Sequence, residues 1–166
     1  SFPFFIEWDG ESSHPSQTSP VGCRLVAVSV ARPDVGPMEK MNQHRGSISF
    51  SPNFGFKYFL QEWENKKPQV NWDLSCVRAI FNGAEQISPV IIRDFTDGLS
   101  EQLLSKHCML PSYGLAEATL AVSVHKPQTP FRTLTLDRLK LGIGDTINTQ
   151  NTEEEKTITF VSCGKP

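Results

Sequence analysis

Apolar residues recur along this chain with two periods, and the switches between them mark out its elements. Residues 2–8, FPFFIEW, form a continuous aromatic and apolar run, as a buried strand requires. In CRLVAVSV, residues 23–30, Val26, Val28 and Val30 share one face, which predicts a second strand. The segment between them, DGESSHPSQTSPVG, is turn chemistry throughout. ARPDVGP, residues 31–37, ends the second run with two prolines and a glycine and is a candidate domain boundary.

From residue 38 the texture changes. GSISFS, residues 46–51, predicts a short strand over 47–50. Phe56, Phe59, Leu60 and Trp63 then fall at i, i+3, i+4 and i+7, one face of a helix. Ser51 is placed to cap that helix, Pro52 lies in its first turn and Pro68 follows its end. SCVRAIF predicts a buried strand over 76–81, and NGAEQ a turn after it. Ser88-Pro89 opens a second helix whose stripe is Ile92, Phe95, Leu99 and Leu103. HCMLPS is a third strand-length run, placed at 107–110 and broken by Tyr113-Gly114. LAEATLAVSV, residues 115–124, reads as a third helix. RTLTLDRL and TITFVS alternate and predict two more strands, with the acidic loop NTQNTEEEK between them. The order β-α-β-α-β-α over residues 47–124 argues for an α/β fold with a partly parallel sheet and helices. The later strands are expected as antiparallel additions, and the N-terminal β strands as a further one. Two domains follow: residues 1–34 as a β segment and 38–166 as the α/β unit.

Composition narrows the function classes. The 166 residues are 38% hydrophobic, enough for a sizeable core. A net charge of −2 supplies no basic field for nucleic acid or an anionic membrane. No apolar run approaches the roughly 20 residues of a membrane span. The N-terminus has no basic region and no signal cleavage site. Cys23, Cys76, Cys108 and Cys163 are far apart, form no C-x-x-C and lie beside apolar runs, so reduced structural thiols and a cytoplasmic location are expected.

Candidate chemistry sits at the turns. Ligands in open α/β sheets bind beyond the carboxyl ends of the strands. Three strand-to-helix turns, SPNF, NGAE and SYGLAE, face one crevice if their strands are neighbours. Gly83 and Ala84 have almost no side chain, so a flat ring can lie on that backbone. Tyr113 offers a ring that can close on the other face. Glu117, in the first turn of its expected helix, is an oxygen ligand suited to Mg²⁺ shared with phosphates. A bland reading stands beside each: Gly83 as a turn glycine, Glu85 as a solvated charge, Tyr113 as a core-edge aromatic and Glu117 as a favourable helix charge. Other patterns fail. LGIGDT lacks the third glycine and the strand-to-helix setting of a dinucleotide loop, and SCGKP lacks the rest of a P-loop. His14, His44, His107 and His125 form no H-x-x-x-H pair.

FNGAEQI followed by PSYGLAEATLAVS resembles the fatty acyl-AMP ligases of the adenylate-forming superfamily. SPNFGFKYF, VNWDLSCVRAIFNGAE, FRTLTLD and VSCGKP are similar to segments of the same family, so the resemblance covers roughly residues 38–166. It implies that fatty acid and ATP are the substrates, joined with Mg²⁺ as cofactor into an acyl-adenylate with release of pyrophosphate. It further implies that Gly83, Ala84 and Glu85 line one face of the adenine, and that Tyr113, with Gly114 beside it, closes the other. Glu117 is implied as the catalytic, Mg²⁺-binding acid of the Tyr-Gly-x-x-Glu motif, and Asn53 and Phe54 as neighbours of the acyl pocket. Ala116 stands where many superfamily members have Thr, as is common in this relative group.

The superfamily's phosphate loop, ribose-binding Asp, hinge and catalytic Lys domain are not found in these residues. The resemblance therefore implies a ligase fragment that binds nucleotide weakly and turns over little. FPFFIEWDG and HPSQTSPVGCRLVAVSVARPD look like part of a glyoxalase-like, vicinal-oxygen-chelate domain, with Glu7 or His14 as its candidate metal ligands. Two alternatives stay open: a non-catalytic chimeric fold, natural or engineered, and a glyoxalase-type metal enzyme fragment. Exposed sheet edges would also allow a homo-oligomer.

Overall fold

A computed structural model describes residues 36–67, 70–118, 120–145 and 157–165. The two N-terminal strands, the glyoxalase-like resemblance, Glu7, His14 and Cys23 all lie outside the described residues.

The elements run α1 (Gly36–His44), β1 (Ile48–Ser51), α2 (Asn53–Lys66), β2 (Ala79–Asn82), α3 (Pro89–Gly98), β3 (Met109–Tyr113), β4 (Ser123–Val124), β5 (Thr133–Asp137) and β6 (Thr157–Val161). Single 3₁₀ turns lie at Ser100–Gln102 and Ala116–Ala118. One sheet has the order β1-β2-β3-β4, and β5 and β6 form a separate ribbon. β1, β2 and β3 are parallel, so α2 and α3 are their crossover connections. β4 joins β3 antiparallel, and the β5–β6 ribbon is antiparallel as expected. The α/β layer with a partly parallel sheet is therefore the observed architecture.

The two helices form where the apolar period predicts. α2 buries Phe56, Phe59 and Trp63, and α3 buries Ile92 and Phe95, with Leu99 buried just beyond its end. Phe59 and Trp63 stack with ring centroids 5.7 Å apart, Trp63 and Trp72 at 5.2 Å, and Phe95 meets Phe59 edge-on at 5.1 Å. The Trp63 indole donates to the Gly98 carbonyl at 2.9 Å, which removes the cost of burying that N–H. Ser88 caps α3, its hydroxyl accepting from the Ile91 amide, with Pro89 in the first position.

Four expectations need correction. The α3 stripe does not reach Leu103. The helix stops at Gly98, a 3₁₀ turn shifts the phase, and a positive φ of 62° at Leu103 turns the chain. Leu103 is 61% exposed and Leu104 enters the core in its place. Ser51 does not cap α2: the capping position is Pro52, which has no side-chain donor or acceptor, and the Ser51 hydroxyl donates to the Pro52 carbonyl instead. α1 was unexpected, because its only buried residues, Met38 and Met41, give too weak a stripe in a polar stretch. It also begins at Gly36, slightly ahead of the expected domain start.

The fourth correction is the largest. Residues 115–124 are not a helix. After the turn at Ala116–Ala118 the chain doubles back as β4, pairing Ser112 with Val124 and Tyr113 with Ser123. The Val122 amide donates to the Tyr113 carbonyl and the His125 amide to the Pro111 carbonyl, both at 2.9 Å. Pairing along the β3 edge satisfies backbone groups that a helix would have satisfied internally. Val122 and Val124 are β-branched and suit a strand.

Candidate functional site

Register decides which loops can cooperate. Ser51 lies opposite Asn82, and Asn82 opposite Pro111. The carboxyl ends of β1, β2 and β3 are therefore side by side, and the segments leaving them, Pro52 with the first turn of α2, Gly83–Ser88, and Gly114 onwards to the turn at Ala116–Ala118, emerge along one edge of the sheet. This is the location where open α/β sheets hold ligands.

The middle loop is held close to β3. A Cβ at Gly83 would sit 2.8 Å from the Ser112 carbonyl oxygen and 2.9 Å from its hydroxyl. Close approach of β3 thus explains the glycine without any ligand. The Ser112 hydroxyl donates to the Asn82 carbonyl at 3.0 Å and fastens the two strands where they end. Ala84 adopts a φ of +69°, a conformation costing a non-glycine residue roughly 1 kcal/mol. Glu85 is not a free surface charge: its carboxylate accepts the Phe54 amide at 2.6 Å, at the N-terminus of α2. The Asn53 side-chain oxygen accepts the Ser88 amide at 3.2 Å. Phe54 itself is exposed and lies edge-on to Tyr58, ring centroids 6.3 Å apart.

The third loop is the open one. Tyr113 ends β3 and is 54% exposed as a residue. A Cβ at Gly114 would be 1.7 Å from the Leu120 carbonyl oxygen, so only glycine allows the reversal that follows. Glu117 is exposed, and among the described residues its carboxylate makes no hydrogen bond or ion pair. It lies in a three-residue 3₁₀ turn, so the helix N-terminus expected around it is not there. A solvent-facing carboxylate still suits a hard divalent ion that takes one or two protein oxygens and fills its shell from phosphates and water. In chemistry, Glu117 fits Mg²⁺ and the exposed Tyr113 ring fits a flat base.

One residue escaped the sequence reading. The Asn82 side chain is fully buried, and neither its amide nitrogen nor its oxygen has a partner among the described residues. NGAEQ reads as a turn, so nothing in the pattern flags a buried amide at its first residue. Leaving such groups unpaired costs about 1–3 kcal/mol each.

Other chemistry is structural. Cys76, Cys108 and Cys163 are free thiols. Burial pushes Cys108 up to about 12, and burial also raises Cys163, so neither is poised as a nucleophile. No cluster of three His, Cys, Asp or Glu is placed to hold a metal among the described residues. His125 is buried against the Thr129 hydroxyl at 3.0 Å. In LGIGDT, residues 141–145 are exposed and follow β5, and the Gly142 amide donates to the Asp145 carboxylate. Gly164 of SCGKP packs against the Val124 carbonyl beside the Val124–Lys165 bridge, a structural use of that glycine. No described helix is long and apolar enough to cross a membrane.

No family model matches the chain. It is 34% identical over 129 residues to a 4-hydroxyphenylalkanoate adenylyltransferase of Mycobacterium bovis, covering 78% of this chain and 20% of that protein. It is 34% identical over 120 residues to the long-chain-fatty-acid–AMP ligase FadD32 of Mycolicibacterium smegmatis, covering 72% and 19%. Among solved structures, it is similar to a fatty acyl-adenylate ligase from Legionella pneumophila in complex with acyl adenylate and pyrophosphate. That match has a TM-score of 0.70 and 28% identity, over 78% of this chain and 22% of the other. The homologues and structural neighbours are thus fatty acyl-AMP ligases and adenylation domains, and the chain spans about a fifth of the curated relatives' length. None of the relatives named here is a glyoxalase, and that resemblance of residues 1–34 gains no support.

Proposed function

We propose that this chain, whose homologues are fatty acyl-AMP ligases and adenylation domains, carries the adenine- and metal-proximal corner of an acyl-adenylate-forming site. The reaction is transfer of an adenylyl group from ATP to the carboxylate of a fatty acid, with pyrophosphate leaving. One observation carries the reading: the parallel register brings the Gly83–Glu85 and Tyr113–Glu117 loops out along one sheet edge.

In this reading, residues 38–166 are the ligase segment. The Tyr113 ring stacks on the base, and the bare backbone of Gly83 and Ala84 bounds the other face, with Gly114 letting the Tyr113 loop turn. Both are contacts that cost little to form, because the sheet has already fixed the loops. Glu117 holds Mg²⁺, which when bound neutralises phosphate charge and favours departure of pyrophosphate. Asn53 and Phe54 stand in the neighbouring first turn of α2, where Phe54 offers an exposed apolar ring to an acyl chain. ATP as substrate and the free thiols support a cytoplasmic location.

The test is calorimetric titration with AMP and with ATP–Mg²⁺. Tyr113→Ala is expected to weaken AMP about ten-fold or more, since stacking on one aromatic contributes about 1–3 kcal/mol. Glu117→Ala is expected to weaken ATP–Mg²⁺ while sparing AMP measured without metal. A folded sample that takes up neither nucleotide would overturn the reading.

A further inference from the structure

We infer that Glu85 is a positioning residue: with Asn53 it forms a two-bond clasp that locks the loop after β2 to the start of α2, and so sets the Gly83–Ala84 platform. The inference rests on the proposed nucleotide site and alters the part that Glu85 plays in it.

The clasp is reciprocal. α2 starts at Pro52 without a side-chain cap of its own. Its second amide, at Phe54, belongs to the first turn and has no intrahelical acceptor. Glu85, 31 residues further on, supplies the acceptor at 2.6 Å. In return α2 supplies the Asn53 oxygen to the Ser88 amide at 3.2 Å, at the point where α3 begins. Ser88 then caps α3 through its own hydroxyl. Both ends of the segment Glu85–Ser88 are thereby tied to a single turn of α2.

What the clasp restrains lies just before it. Ala84 holds a left-handed φ that an alanine leaves readily if nothing opposes the change. On one side Gly83 is wedged against Ser112. On the other, Glu85 is anchored to Phe54. Fixing both neighbours keeps Ala84 in place and keeps the Gly83–Ala84 backbone turned in one direction. One oxygen of the Glu85 carboxylate is occupied by a helix amide, so in this inference its main contribution to nucleotide affinity is indirect. It also links Asn53 and Phe54, on the acyl side of the proposed site, to the platform on the nucleotide side.

Amide hydrogen exchange and AMP titration on the whole chain test this together. The Phe54 amide is a clean reporter, because as a first-turn amide its protection comes from Glu85 alone. Glu85→Ala is expected to speed its exchange about ten-fold or more, with Ile92 and Phe95 unchanged, and to weaken AMP about ten-fold. Glu85→Gln keeps an oxygen acceptor and is expected to restore both within about three-fold. Asn53→Ala should speed exchange at Ser88. Loss of AMP affinity in Glu85→Ala with Phe54 exchange unchanged would make Glu85 a ligand contact and overturn the inference. So would a Glu85→Gln variant that protects Phe54 normally yet binds AMP as poorly as Glu85→Ala. If Glu85→Ala does not fold, the Glu85→Gln and Asn53→Ala outcomes decide the matter. If the unaltered chain binds no AMP, the proposed function falls, and exchange at Phe54 still decides whether the clasp exists.

Discussion

The stretch from β1 to β3 and the stretch after β3 obey different rules. In the first, each helix is specified by one buried face: Phe56, Phe59 and Trp63 on α2, Ile92 and Phe95 on α3. In the second, ten residues that read as a helix fold back as a turn and a two-residue strand. Leu120, which a helix could have buried, is 62% exposed with a φ of +83°. A stripe specifies a helix only when another surface covers it. After β3 the surface on offer is a strand edge, which takes backbone hydrogen bonds and leaves the stripe in solvent. The core half fixes the positions of the strand ends, and the half governed by pairing presents Tyr113 and Glu117.

Removing a side chain from the covered face should have the largest effect. Trp63 is fully buried, stacks between Phe59 and Trp72, and hydrogen-bonds Gly98. Trp63→Ala is expected to cost about 3–5 kcal/mol, read by urea unfolding, a large share of a domain's total stability. A loss under about 1 kcal/mol would mean that α2 is not held by its face.

A smaller and local effect is expected on the other side. Gly114→Ala places a methyl against the Leu120 carbonyl, so the reversal must open. We expect a loss of about 1–3 kcal/mol. Hydrogen exchange should quicken at Val122 and His125, whose amides donate to Tyr113 and Pro111, while Phe59 and Phe95 stay protected. Uniform loss of protection across both halves would show that the two are one cooperative unit.

Legibility in the sequence follows the same division. Ser88-Pro89 announced its helix because a hydroxyl cap and a proline act locally, within one turn. The parallel sheet was legible because strands alternated with helices of crossover length. The cap of α2 was not, since Glu85 reaches it from 31 residues away and Ser51, the local candidate, turns to Pro52 instead. The glycines at 83 and 114 were visible as turn residues, but the atoms that forbid a side chain, on Ser112 and Leu120, are known only from the fold. Asn82 was hidden for the opposite reason: a turn-forming residue type stands buried at a strand end. In the candidate site, residue types could be read and their partners could not.

Two thiols report on the same contrast through pH. Cys108 is buried where the chain enters β3, and burial raises it to about 12 from an ordinary 9.0. Cys163 lies just past β6, half-buried, and burial raises it as well. A thiol raised on folding keeps its proton in the native state while the unfolded chain releases it. Its contribution is therefore complete below pH 9 and is lost as pH rises from the unfolded value towards the folded one. Between pH 8 and 10 the Cys108 thiol should remove about 1 kcal/mol of stability, measured as the difference in pH dependence between the unaltered chain and Cys108→Ala. Native-state alkylation at pH 9 should label Cys163 well before Cys108, since the half-buried thiol needs less opening to react. Equal labelling rates would mean that the β3 entrance opens as readily as the ribbon's end, and the distinction between a covered core and a paired edge would then fail at its deepest residue.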